Sequence, residues 1–127
     1  MSQENLEIIR GFDADYRRRD LEAIYERYHP DIEVRDWMGG VHKGREAATD
    51  SMKEWLRQWE WFSSDLEEIV ELPGDRAVVI NRFRGKGKQS GAETEWVAGE
   101  IWTFREGKIA QIVDYPDVDA AFKAAGL

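Results

Sequence analysis

Apolar residues recur at helical spacing through the first part of the chain and at strand spacing through most of the rest. In QENLEIIRGFDADYRRR, Leu6, Ile9, Phe12 and Tyr16 fall three and four apart, with acids early and arginines late as a helix dipole prefers, which predicts a first helix. Asp20 is placed to cap a second, LEAIYERYH, whose stripe of Leu21, Ile24, Tyr25 and Tyr28 runs until Pro30 stops it, with His29 finishing the helix. DIEVRDW then alternates Ile32, Val34 and Asp36 against Glu33, Arg35 and Trp37 before MGG breaks the pattern. From Gly44, REAATDSMKEWLRQWEW returns to helical spacing through Ala48, Met52, Trp55, Leu56 and Trp59. The remainder reads as a meander of long strands, FSSDLEEIVEL, RAVVINRFRGKGK, AETEWVAGEIWTF and KIAQIVDY, joined at PGD, QSG and REG. A last helix, DVDAAFKAAG, starts at Asp117 and ends at Gly126.

Strands this long must twist and curl, and a curled antiparallel sheet has a concave face that helices can close. The predicted fold is therefore α+β: a cone-shaped curved antiparallel sheet closed by N-terminal helices, with a short C-terminal helix, in a single domain over residues 1–127.

The stretch WVAGEIWTF sharpens this picture. Trp96, Ala98, Glu100, Trp102 and Phe104 share one face of a strand, and Val97, Gly99, Ile101 and Thr103 the other, so both faces read as buried. A carboxylate between two tryptophans is costly unless it is paired, protonated or facing a wet cavity. On the second face, Val97, Ile101, Val79, Phe83, Val113 and Tyr115 make an apolar surface with no helix left to cover it, which predicts a homodimer through the convex sheet face.

The formal net charge of −8 argues against nucleic acid and anionic membranes as partners. With no cysteine, thiolate chemistry and cysteine-held metals are absent, and His29 and His42 show no ligand spacing, so no metal or organic cofactor is implied. The N-terminus lacks the basic start and apolar run of a signal peptide, and no segment approaches membrane-spanning length, which points to a cytoplasmic protein.

The element order, with RRDLEAIYERYHPDIEVRD, HKGREA and EIWTFREGKIAQIVDY, resembles the SnoaL-like group of the nuclear transport factor two-like superfamily over nearly the whole chain. The resemblance implies a cone whose cavity opens at one end, in a superfamily that includes ketosteroid isomerase, limonene epoxide hydrolase, polyketide cyclases and binding-only proteins. Set against the isomerase, it puts Asp36 at the proton-shuttling aspartate and Glu100 at the oxyanion-binding acid, with Phe12 where that enzyme keeps an oxyanion-donating tyrosine. Set against the epoxide hydrolase, it puts Asp114 on one catalytic aspartate and Arg82 on the arginine between the two, while Arg84 replaces the second.

Three carboxyls are thus candidate catalytic groups, each with a structural alternative. Asp36 is a general base or a turn acceptor; Glu100 is an acid of raised pKa or the partner of Arg82 or Arg84; Asp114 tunes that acid or pairs with Arg82. Arg82 and Arg84 can instead clamp an anionic ligand. Phe12, Tyr16, Trp55, Trp59, Trp96 and Trp102 line a flat pocket for a hydrophobic or aromatic small molecule, or serve as core. His42 sits on an exposed loop or shuttles protons at the cavity mouth. Three functions fit: carboxylate acid–base enzyme of isomerase, cyclase, dehydratase or hydrolase type, non-catalytic binding module, and structural dimerisation domain with a cavity filled by Trp and Met.

Overall fold

A proline cannot follow a helical residue without strain, so the second helix must release the chain before Pro30. In the computed structural model, which describes residues 3–127, it does so at Arg27. Helix α1 (Gln3–Arg17) is followed by α2 (Leu21–Arg27), which is capped by Asp20 accepting from the Ala23 amide at 3.1 Å. Strand β1 (Tyr28–Arg35) begins immediately after. His29 therefore belongs to β1 rather than to the end of α2, because its place before Pro30 favours extended backbone.

The MGG break is a hairpin turn rather than the start of a loop. A short β2 (Val41–Lys43) folds back on β1 and pairs His42 with Val34. Helix α3 (Arg45–Arg57) ends earlier than its apolar spacing suggests, and Trp59 opens β3 (Trp59–Leu72). The long meander continues through β4 (Arg76–Gly87), β5 (Glu93–Arg105) and β6 (Lys108–Tyr115), and α4 (Val118–Ala124) closes the chain, capped by Asp117.

All six strands form one curved sheet in the order β2-β1-β6-β5-β4-β3. Neighbours run antiparallel except β1 and β6, which are parallel, as the helix-and-hairpin detour between them allows. The main core fills the concave side, where Ile9, Ile24, Tyr28, Ile32 and Ile109 are almost wholly buried.

Two registers decide what the cone contains. Facing residues of antiparallel strands point the same way, and Val79, Asn81 and Phe83 of β4 stand opposite Glu100, Ala98 and Trp96 of β5. These residues face inward. Between β5 and β6, Phe104 pairs with Ile109 but Thr103 pairs with Gln111, so Ala110 is an extra residue bulged from β6. The bulge shifts the pairing by one and sets Glu100 opposite Asp114.

The convex side differs from the sequence expectation. Val79 and Phe83 are not on it, because the β4 parity is the reverse of that expected. Part of it is also covered: Val118, Ala121 and Phe122 of α4 pack with Val78, Ile80 and Ile101 in a second, smaller core. The apolar surface that suggested a dimer is thus smaller than the sequence implies.

Gly99 permits this docking, since a Cβ built there would lie 2.6 Å from the Cβ of Ala121. Replacing it by leucine is expected to lift α4 from β5 and cost about 1–3 kcal/mol. A thermal-unfolding midpoint unchanged in Gly99→Leu would contradict this packing.

Candidate active site

Helical and strand periodicities converge on one space. Ile9, Phe12 and Tyr16 of α1 and Ala48, Met52 and Trp55 of α3 recur at three- and four-residue steps and look down on the inward residues of the sheet. Together they enclose a cavity of about 720 Å³. Tryptophan and methionine side chains line this space rather than fill it, so the filled-cone expectation is not met.

Glu100 and Asp114 meet on its floor. Their register brings the two carboxyls into a mutual hydrogen bond, which requires that one of them carry a proton. The donors around them are unequal. Glu100 Oε1 accepts from the Trp102 indole Nε1–H at 3.1 Å and more distantly from the Asn81 amide at 3.5 Å. Asp114 Oδ1 is sealed from solvent and has no partner. Burial, then the charge and hydrogen bond of Glu100, then the charge of Asp36, hold the Asp114 carboxyl well above the ordinary carboxylate range. The pair therefore holds a proton at pH values where a lone exposed carboxyl has lost it.

Asp36 lies where β1 runs into the hairpin turn, and it accepts three bonds. The amides of Met38 and Gly40 reach Oδ1 at 2.9 and 2.8 Å, and His42 Nε2 lies 3.0 Å from Oδ2. Burial works against its charge, but the His42 contact and the two amides outweigh it and hold the carboxyl below its usual range. Gly40 leaves room for this pairing: a Cβ there would sit 2.3 Å from Asp36 Oδ2. The Asp36 carboxylate thus ties the hairpin and at the same time lines the cavity.

Arg82 and Arg84 are the main corrections. Both point to the convex face, where Arg82 meets Glu67 and Glu95 at 3.2 and 3.4 Å, and Arg84 pairs with Glu95 and with Asp65 at 3.2 Å. Neither reaches Glu100 or Asp114, and neither can clamp a ligand in the cavity. The cause is the β4 register, which turns Asn81 and Phe83 inward.

The aromatics divide. Trp55 and Trp96 line the cavity with edge-to-face rings 6.3 Å apart. Trp59 stands behind them, outside the cavity wall, with its ring 5.9 Å from that of Trp96. Trp102 is 2% exposed and carries Phe12 edge-on at 4.9 Å, so its chief polar contact is the bond to Glu100. Tyr16 and Tyr28 line the wall near the carboxyl pair, and burial and the charge of Glu100 push both phenols upward, in Tyr16 against the nearby Arg19.

One contributor, Asn81, was missed in the sequence, and another, His42, was read there as an exposed-loop residue or a proton shuttle at the cavity mouth. His42 is half-buried against Asp36 rather than free on a loop, and the MGG turn was the available sign that residue 42 folds back beside residue 36. Asn81 is buried, and its signal was a lone amide inside the apolar run AVVINRF.

Comparison with known proteins follows the same lines. A family model described as a SnoaL-like domain matches residues 9–112. TerC, co-crystallised with polyporic acid, is similar at 25% identity and a TM-score of 0.79, over 97% of this chain and 98% of its own. A putative SnoaL-like polyketide cyclase from Jannaschia sp. CCS1 shares the fold at 19% identity and a TM-score of 0.81, over 98% and 95%. So does a Mycobacterium tuberculosis protein in complex with estradiol-17β-hemisuccinate, at 15% identity and a TM-score of 0.78, over 93% and 97%. No protein of curated function matches in sequence.

A protonated Asp114 has a measurable cost. In the unfolded chain its carboxyl titrates near the ordinary 3.8, whereas the folded chain holds the proton to higher pH. Stability is thus fully present below the unfolded value and falls as pH rises through the folded one, by about 1.4 kcal/mol for each unit of the difference. Asp114→Asn keeps a donor toward Glu100 and removes that loss. The variant is expected to match the wild type near about pH 4 and to unfold several degrees higher near about pH 8. A difference that does not change with pH would place the proton elsewhere.

Proposed function

The chain belongs to the SnoaL-like domain family, a family of small-molecule-binding and polyketide cyclase or isomerase type, and from that premise we propose that it is a cofactor-independent acid–base enzyme acting on a flat hydrophobic or aromatic small molecule. One observation carries this reading: a His–Asp pair and a proton-holding carboxyl pair face the same aromatic-walled cavity. A base and an acid in opposed protonation states, set by their surroundings, are what proton transfer between two positions of a substrate needs.

Asp36 was the base expected from the sequence. Its three donors make it a weak one, so its role is to hold and polarise His42, and the imidazole it orients takes the substrate proton. On the far side, the proton held between Asp114 and Glu100 is passed to the oxygen on which charge develops, with Glu100 fixed by Trp102 and Asn81. Trp55, Trp96 and Phe12 hold the ligand's flat face, and the apolar walls keep the exchange dry.

The test uses 5-nitrobenzisoxazole, an uncharged probe that loses one carbon-bound proton, breaks its N–O bond and yields a coloured cyanophenolate. The wild type is expected to open it well above the buffer rate, and His42→Gln and Asp36→Asn to lose about 10²–10³-fold in kcat/KM. Opening at the buffer rate by wild type and variants alike would leave a binding module as the better account.

A further inference from the structure

The cavity's charge is one-sided. Five carboxyl residues line it, Asp13, Asp36, Glu54, Glu100 and Asp114, and His42 is the one basic residue doing so among the described residues. The two outermost acids are neutralised from outside the lining: Arg17 holds Asp13 at 3.1 Å and Arg57 holds Glu54 at 2.8 Å. Asp36 has His42. Among the described residues the inner pair has no cation, since Arg82 and Arg84 are occupied on the convex face. What fixes the inner negative charge is neutral: the Trp102 indole and the Asn81 amide both donate to Glu100 Oε1.

From this arrangement we infer that the cavity selects its ligand by charge, taking uncharged or cationic aromatic molecules and rejecting those that carry a carboxylate or phosphate at the ring. The inference rests on the proposed use of this cavity and narrows its substrate class. An anion brought to the floor meets the Glu100 carboxylate in apolar surroundings, where like charges are poorly screened and no guanidinium or ammonium offsets them. An uncharged carbonyl or hydroxyl can accept the proton of Asp114, and a cation meets a negative floor and the faces of Trp55 and Trp96. The net charge of −8 acts in the same direction before contact.

Three probes on one frame isolate the effect: 1-naphthalenemethanol, 1-naphthylmethylamine and 1-naphthoate, each titrated by equilibrium dialysis near neutral pH. The alcohol and the amine are expected to bind, and the naphthoate about tenfold or more weakly than the alcohol. Glu100→Gln, with its fold checked by thermal unfolding, is expected to close most of that gap. Naphthoate binding within about threefold of the alcohol on the wild type overturns the inference without need of the variant. If that occurs while 5-nitrobenzisoxazole is still opened, the enzyme reading stands and charge selection alone fails. If none of the three binds and the benzisoxazole is not opened, both fail.

Discussion

A half-buried carboxyl pair with no positive partner among the described residues governs the interior of this protein. Glu100 and Asp114 are drawn together by the sheet, and with no guanidinium or ammonium of the described residues within reach they share a proton in place of a counter-ion. The surroundings follow from this. An indole and an amide point at Glu100 to hold its charge, Asp114 keeps its hydrogen, and the arginines that a sequence reading would send inward are spent on surface carboxylates. A cation at this spot would stabilise both carboxylates and leave no acid.

Most of the fold was legible because its signals are local. Helical stripes, the cap at Asp20, Pro30 and the turn residues bounding the meander each act within a few positions. The inward face of β5, including Glu100, was also legible, since alternation within one strand needs no knowledge of its neighbours. The fate of Arg82 and Arg84 was not. Which face a strand presents relative to its neighbour depends on register, and a one-residue difference exchanges the two sets. A helical stripe that ran on through Trp59 likewise hid the point at which α3 gives way to β3. The pairing of His42 with Asp36 was hidden for a related reason: the two are six residues apart along the chain, but adjacent only once the turn has closed.

Asp36 joins structure to chemistry most directly. The same carboxylate that orients His42 ties the amides of Met38 and Gly40, and so shapes a turn that carries Trp37 and Met38 exposed beside the cavity. The position of Asp36 is therefore set by backbone donors that a ligand does not disturb, while the Asp114 carboxyl is held up by burial first and by the charges of Glu100 and Asp36 after it. The two halves of the site are thus linked across the cavity, since the charge of Asp36 adds to what holds the proton near Asp114.

The extra residue at Ala110 carries a wider consequence. Without it the β5–β6 pairing would continue from the turn with Glu100 opposite Val113, and the last strand would offer the cavity an alkyl group where it now offers an acid. One inserted or deleted codon in β6 thus exchanges every cavity-facing side chain beyond it in a single step. On a scaffold of this kind, new interior chemistry can arise by sliding a strand past its neighbour, a route that a comparison of aligned positions one at a time would overlook.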